Sequence, residues 1–128
     1  MLRCAPLAAC AVALALALPA AAQMQRPFPR NALRGDMVFT APPEVLLNGQ
    51  PARLAPGARI RGENNMLVLQ GNVVGGKAIV HYTTEGNGLV KDVWILNADE
   101  LAVKPWPRTL QEAETWEYNP AARTWSKP

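Results

Sequence analysis

Two runs rich in β-branched and aromatic residues face each other across a short polar loop, and no other stretch constrains the fold as much. The runs cover residues 77–84 and 89–96, and the loop between them reads Glu-Gly-Asn-Gly. Such runs favour β-strands, and a glycine-containing loop of this length favours a hairpin. Direct closure of the loop places Tyr82 opposite Lys91. We therefore predict a central hairpin in this register.

A second hairpin is predicted by the Asn-Gly dipeptide at 48–49, which lies between two strand-like runs. Asn-Gly is the preferred two-residue loop of type I′, because both central residues need positive φ. The resulting register pairs Leu46 with Pro51 and Glu44 with Arg53. Pro51 has no N–H group, but at a non-hydrogen-bonded position none is needed for pairing. The opposite charges of Glu44 and Arg53 add a weak attraction.

The remaining turn signals indicate an all-β single domain. Ala-Pro-Gly-Ala at 55–58 predicts a type II turn between two strands, and the apolar run at 66–70 predicts a strand that is buried on both faces. Capping patterns at 97–100 and 109–112 predict short helical turns. About seven short strands with regularly spaced turns favour a small five- or six-stranded barrel, OB-like or SH3-like.

The C-terminal segment predicts a terminal hairpin. Aromatic and polar residues alternate around Asn119-Pro120. A four-residue loop at 119–122 would place Trp116 directly opposite Trp125. We expect this hairpin to pack on the barrel.

The N-terminal segment, residues 1–22, is typical of a cleaved secretory signal. One charge, Arg3, precedes an apolar run at 11–18, and three alanines follow at 20–22. We expect cleavage before Gln23 and a final location in the bacterial periplasm or the medium. No later segment is apolar enough to span a bilayer.

Four regions are predicted along the chain: a signal peptide at 1–22, a flexible arm at 23–32, a β-barrel domain at 33–104, and a linker, short helical turn and terminal β-hairpin at 105–128. The arm contains prolines and arginines and little that could be buried. Arg34-Gly35-Asp36 spells an adhesion tripeptide, which we interpret as a chance turn before a first strand at 37–40.

Cysteine content and charge exclude several function classes. Cys4 and Cys10 both fall in the signal, so a cleaved chain has no thiol, disulfide or cysteine metal site. The alternative, lipid attachment at Cys10, is weaker because its lipoprotein-like box precedes the apolar run. A net charge of +3 is too mild to indicate nucleic-acid binding.

A set of turn and core residues recurs in a known pattern: Leu46, Leu47, Asn48, Gly49, Leu54, Pro56, Arg59, Ile60, Gly62, Leu67, Leu69, Gln70 and Gly71. These residues resemble small exported bacterial domains of unknown function with OB-like barrels. In those domains a V-x-V-N-G turn is followed by a strand reading roughly L-x-P-x-T-x-I-x-G. The similarity covers about residues 44–96, and Ala58 stands where that pattern has threonine. Turn and core positions imply a fold and bring no catalytic residue with them.

Three arginines and three tryptophans are the candidate ligand-binding residues. Arg53, Arg59 and Arg61 lie on predicted strands, where they form either a basic patch for an anionic polymer or simply the wet face of a half-buried sheet. The tryptophans of the last 25 residues either stack on a sugar or peptide or fold back onto the barrel. They are Trp106, Trp116 and Trp125.

Catalytic and metal sites are not indicated. His81 is the chain's one histidine, and we expect it to be a partly exposed strand residue. One histidine without cysteines makes no metal site, and the scattered carboxylates form no acid–base pair. No cofactor is expected.

We therefore expect a non-enzymatic binding or envelope-assembly module. Its partner would be an envelope protein, a glycan or an anionic polymer. One alternative is a small hydrolase or isomerase that uses His81 with a carboxylate such as Asp92. The other is a structural oligomer that pairs through an exposed sheet edge.

Overall fold

The computed structural model describes residues 25–128, so the predicted signal, its cleavage site and both cysteines lie outside the described residues. Eight β-strands and two short α-helices form within the described range. They are β1 (Leu33–Ala41), β2 (Glu44–Leu47), β3 (Gln50–Arg61), β4 (Leu67–Val68), β5 (Lys77–Thr84), β6 (Val90–Ile95), α1 (Ala98–Leu101), α2 (Leu110–Thr115), β7 (Glu117–Asn119) and β8 (Thr124–Ser126). A 3-10 turn at Gln70–Val73 follows β4.

Five of these strands close into a barrel, which confirms the predicted fold class. The pairing order runs β2-β1-β5-β6-β3, and β2 also pairs with β3 to complete the circle. All of these pairs are antiparallel except β3 with β6, which is parallel. Strand β4 extends the sheet from β3, and β7 and β8 form a separate two-stranded sheet.

The barrel interior is filled by alternate residues of the five strands, as the period of two in a β-strand requires. Its buried side chains are Leu33, Met37, Phe39, Val45, Leu54, Ile60, Val80, Tyr82, Val90 and Val93. Full burial of an aliphatic or aromatic side chain contributes about 1.5–3 kcal/mol. This cluster is therefore the main source of stability.

A second cluster lies outside the barrel and is built from segments that precede and follow it. We call it the outer cluster; its buried members are Phe28, Ala32, Leu96, Trp106 and Trp125. The expectation that the N-terminal arm contains little to bury is wrong at Phe28. The arm and the C-terminal segments meet on the outer side of β5, where His81 contacts Phe28 and Trp106.

The β2–β3 hairpin has the predicted register. Leu46 lies opposite Pro51, and Glu44 lies opposite Arg53 with a side-chain N–O distance of 3.0 Å. The loop residues at 48–49 have φ of 53° and 80°, as a type I′ turn requires.

The β5–β6 hairpin forms, but its predicted register is wrong. Tyr82 lies opposite Val93, two residues beyond Lys91, and the register shifts between Thr83 and Thr84. There are two causes. The N–H of Glu85 donates to the carbonyl of Leu89 over 2.8 Å, which shortens the loop to residues 86–88, and a bulge at Lys91 adds the second residue of the shift. Since the shift is two residues, each side chain keeps its face.

The predicted turn at 55–58 does not end a strand, because β3 continues through it. Gly57 has φ of +78°, and the register against β6 shifts between Leu54 and Arg59. The glycine therefore bends a single long strand, as at a β-bulge. The first part of β3 pairs with β2 and the last part with β4.

Strand β1 begins earlier than predicted. It includes Arg34, Gly35 and Asp36, so the prediction of a turn at this tripeptide is wrong. Pairing with β5 from Leu33 onward keeps this segment extended.

The run at 66–70 is not a doubly buried strand. Only Leu67–Val68 is a strand, and it pairs with β3 alone. Since nothing in the described structure packs on its other side, Met66, Leu67 and Leu69 are exposed.

The helical turns begin as predicted. The side chain of Asn97 accepts from the N–H of Glu100, and the Glu100 carboxylate accepts from the N–H of Asn97, which completes a capping box. Thr109 caps α2 by accepting from the N–H of Glu112, but the Glu112 carboxylate accepts from the N–H of Arg108. The second capping box is therefore only half formed.

The terminal hairpin also forms, with a register that differs from the predicted one. Trp125 lies opposite Tyr118 and not opposite Trp116. The side chain of Asn119 accepts from the N–H groups of Ala121 and Ala122, which moves the loop one residue toward the C-terminus. As expected, Trp125 is packed, with 3% of its surface exposed.

Candidate functional site: a basic groove beside the outer cluster

A groove of about 650 Å³ lies beside the outer cluster. Its walls come from β1, β5, the end of α1, the loop between α1 and α2, helix α2 with the residue that follows it, and the C-terminal end. The lining residues are Arg34, Ile79, Leu101, Lys104, Pro105, Trp106, Arg108, Glu112, Trp116 and Lys127. We call it the basic groove. Its volume falls in the range of about 300–1,000 Å³ that is usual for ligand sites.

Cationic side chains dominate the lining, with four of them against one carboxylate. Arg108 is balanced by Asp36 at 2.9 Å. Within residues 25–128, no ion pair involves Lys104 or Lys127. Both lysines are exposed, so the groove offers two uncompensated ammonium groups to a ligand.

Arg34 is a fixed cation at the base of the groove. Its Nε donates to His81 Nε2 at 3.1 Å, and its Nη1 and Nη2 donate to the carbonyls of Val103 and Glu100 at 2.9 and 3.0 Å. Its guanidinium also lies 5.6 Å from the Trp106 ring centroid, within cation–π range. Burial lowers the pKa of Arg34, and the charge of Arg108 adds to this. Arginine nevertheless remains charged in proteins.

His81 is enclosed by aromatic rings. It stacks on Trp106 with centroids 4.2 Å apart, meets the edge of Phe28 at 4.3 Å, and exposes only 1% of its surface. The prediction of a partly exposed histidine is therefore wrong. Burial lowers the pKa of His81 to about 2, and the nearby charges of Arg34 and Arg26 act in the same direction.

The imidazole is consequently neutral, and its hydrogen bond assigns the tautomer. Because Nε2 accepts from Arg34, the proton lies on Nδ1, which has no partner in the described structure. No hydrogen bond links His81 to Asp92. Asp92 accepts from Thr83 Oγ1 at 3.3 Å and lies 3.9 Å from Arg61.

A buried ion pair holds the N-terminal segment against α1. Arg26 Nη2 lies 2.6 Å from Glu100 Oε1, and the Glu100 side chain is fully buried. Arg26 also donates to the carbonyls of Gly62 and Ile95, each at 2.7 Å. Burial alone would raise the pKa of Glu100, but hydrogen bonds from Arg26 and from the Asn97 backbone hold it below its usual value. The sequence gives no signal for this pair, because its members are 74 residues apart.

Two of the three predicted tryptophans line the groove. Trp106 is buried and donates from Nε1 to the carbonyl of Ala32 at 3.0 Å, while Trp116 is half-buried. Lys127 Nζ lies 5.4 Å from the Trp116 ring centroid. Trp125 does not line the groove; it packs against Trp106 with ring centroids 6.2 Å apart.

The three predicted arginines lie outside the basic groove. Arg53 pairs with Glu44, Arg61 lies 3.9 Å from Asp92, and Arg59 is exposed on β3. The structure thus brings Trp106 and Trp116 together with cations that sequence reasoning missed. The available signal was the segment Lys104-Pro-Trp-Pro-Arg108, which places a cation on each side of a tryptophan.

Among residues 25–128, no group of three or more potential metal ligands occurs. The described helices are all too short or too polar to cross a membrane. No protein-family model, curated protein or solved structure matches this chain.

Proposed function

We propose that this chain is an exported, non-enzymatic binding module of the bacterial envelope that holds an acidic glycan in the basic groove. The observation that carries the proposal is the placement of two unpaired lysines, Lys104 and Lys127, beside the half-buried indole of Trp116. Export rests on the sequence of residues 1–22. Membership among small exported OB-like domains is part of the proposal, and the closed five-stranded barrel supports it.

An anionic ligand suits the charge of the groove. Carboxylate, sulfate or phosphate groups form charge-assisted hydrogen bonds with ammonium groups, and these are about twice as strong as neutral ones. Arg34 adds a positive charge that cannot move, because its donors are held by His81 and two carbonyls. The groove therefore presents a fixed positive charge at its bottom and two flexible lysine side chains at its sides.

A sugar ring suits the apolar part of the lining. Trp116, Pro105 and Ile79 provide nonpolar surface, and an indole face attracts the weakly positive C–H groups of a pyranose. An acidic peptide would use the same cations without needing a flat aromatic wall. The combination of indole and lysines therefore favours the glycan.

The test is calorimetric titration of the exported protein with an oligogalacturonate, compared with a neutral galactose oligomer of the same length. We expect binding of the acidic oligomer that weakens as salt is added. Replacing Lys104 and Lys127 with glutamine should weaken it by at least about tenfold, or roughly 1.4 kcal/mol. The matched control replaces Lys77 and Lys91, two exposed lysines outside the groove, and should change the affinity by less than about twofold.

Equal binding of the neutral oligomer, or equal losses in the groove and control variants, would contradict the proposal. If a polyglutamate peptide binds more strongly than the oligogalacturonate, the ligand is an acidic protein and not a glycan. Intact mass of the exported protein tests the export step separately. A mass that begins at Gln23 is expected, and retention of Met1 or acylation at Cys10 would overturn it.

A further inference from the structure

An exposed apolar surface lies around β4, on a part of the chain that does not line the basic groove. The described residues expose six large hydrophobic side chains, and four of them fall between positions 66 and 74. They are Met66, Leu67, Leu69 and Val74, with 66%, 66%, 75% and 56% of their surface exposed. We call these four residues the β4 patch. Large hydrophobic side chains that are exposed together in one segment indicate an interaction site.

The backbone of Leu67, in the middle of this patch, also has groups that are unpaired within the described structure. Strand β4 is the last in the sheet and pairs only with β3. Because the N–H of Gly62 donates to the carbonyl of Met66, the alternation of an antiparallel ladder turns the N–H and C=O of Leu67 away from β3. These two outward-facing groups of Leu67 can pair with a strand of another chain.

The charge pattern indicates what that strand is. Residues 64–76 contain no charged side chain, so two copies can approach about a two-fold axis without repulsion between like charges. An edge that must stay free usually carries lysine or proline, and this one carries neither. The cations nearest to β4 lie on β3: Arg61 is opposite Leu67 and 3.9 Å from Asp92, and Arg59 is exposed. A single unpaired cation contributes only about 1 kcal/mol toward anionic headgroups, so a second copy is the favoured partner.

We infer that two copies of this chain pair antiparallel through β4, with Leu67 of each copy opposite Leu67 of the other. Such a dimer is symmetric, because the same surface serves both partners. Antiparallel pairing about Leu67 places Leu69 of one copy opposite Asn65 of the other. Leu67 and Leu69 of both copies then lie on one face and cover each other.

The register can be tested by crosslinking. Leu67 would form a hydrogen-bonded pair, for which the Cα–Cα distance is about 5.5 Å, within the range of about 4.4–6.8 Å that a disulfide spans. Leu67→Cys should therefore form a covalent dimer under mild oxidation. Leu110→Cys, at an exposed leucine of α2 outside the patch, is the matched control and should stay monomeric.

Sedimentation velocity over a range of concentrations tests association without a crosslink. We expect the wild-type protein to shift from one chain mass to two, and Leu69→Lys to weaken the dimer by at least about tenfold. Leu110→Lys should behave as wild type. Near-ultraviolet circular dichroism of the tryptophans would show that both variants remain folded.

A wild-type protein that stays monomeric at every concentration would overturn the inference, as would equal crosslinking of the two cysteine variants. If the protein is monomeric, its flotation with phosphatidylglycerol vesicles should be measured. Flotation that is lost in Leu69→Lys would show that the patch binds a lipid surface instead.

Discussion

Arg34 donates its Nε–H to Nε2 of His81 over 3.1 Å, so a permanent cation and the chain's single histidine share one buried hydrogen bond. The contact is compatible only with a neutral imidazole, since a protonated ring has no acceptor. The other guanidinium nitrogens bind the carbonyls of Val103 and Glu100. One residue of β1 therefore connects β5 to the segment that forms the wall of the basic groove.

The protein should lose stability in mild acid, because His81 becomes protonated in the unfolded chain but not in the folded one. The unfolded pKa is near 6.5 and the folded pKa is about 2, so the unfolded chain binds more protons between these values. The free energy of unfolding should be constant above about pH 6.5 and fall by on the order of 2 kcal/mol between pH 7 and pH 5. Urea titrations at several pH values measure it.

The histidine contribution can be separated from that of Glu100. The pKa of Glu100 is lowered by folding, so its stabilising contribution is lost only as the pH falls below about 4.5. His81→Gln retains an acceptor for Arg34 and does not titrate. This variant should have a flatter dependence between pH 7 and pH 5. A wild-type profile that is flat in this window would contradict the buried, neutral histidine.

Removal of the buried carboxylate should destabilise the fold strongly. Glu100→Ala leaves Arg26 buried beside Gly62 and Ile95 without its counter-charge, which typically costs about 3–5 kcal/mol. The control is Glu44→Ala, which breaks the exposed pair with Arg53 and should cost at most about 1 kcal/mol. Chemical denaturation measures the stability of both variants. Similar losses of stability would show that the Arg26–Glu100 pair contributes no more than an exposed ion pair.

A β-branched residue at Gly49 should destabilise the β2–β3 hairpin. Gly49 has φ of +80° and no atom within 4 Å of its Cβ direction, so strain and not crowding opposes Gly49→Val. We expect a loss of more than about 1 kcal/mol. Gly86→Val is the matched control, because that loop position is equally open and its φ lies outside the left-handed region. Equal denaturation midpoints for the two variants would rule out strain at the turn.

Loss of the terminal tryptophan should expose the outer cluster. Trp125→Ala removes a buried side chain that contacts Trp106 and Tyr118, which typically costs about 3–5 kcal/mol. Deletion of residues 115–128 removes this side chain together with its hairpin, so it should lower the melting temperature by at least about 10 °C. Trp116→Ala, at a half-buried position, should cost less. Strong iodide quenching of every tryptophan in the intact protein would show that the terminal hairpin is not packed.

Features that depend on a few neighbouring residues could be predicted from the sequence. The type I′ turn at 48–49 and the capping box at Asn97 follow from local chemistry. Two hairpin registers could not be predicted, because a bulge near Thr83 and the side chain of Asn119 decided them. Each register is shifted by two residues from the predicted one. The side chains therefore lie on the predicted faces of their strands, but their partners across the strands differ from the predicted partners.

The candidate site was only partly predictable for the same reason. Trp106 and Trp116 stood out because tryptophan is rare and large. The cations that complete the groove could not be recognised in the sequence. Lys104 and Lys127 line the same groove only because β7 and β8 fold back. Phe28 and Arg26 also gave no local signal, since their partners Gly62, His81 and Glu100 lie 36 or more residues away.

The outer cluster brings the beginning and the end of the described chain together. Phe28 and Trp125 belong to the same cluster, and Arg123 Nη1 donates to the carbonyl of Gln25 over 3.4 Å. We expect such a fold to tolerate circular permutation, because residues near both ends of the described chain are in contact. New ends at the exposed loop between Gly86 and Asn87 would make β6 the first strand of the chain and β5 the last. The pairings of β6 with β5 and with β3 would then form between segments that are synthesised in the reverse order, whereas the pairings among β1, β2, β3 and β5 would keep their order.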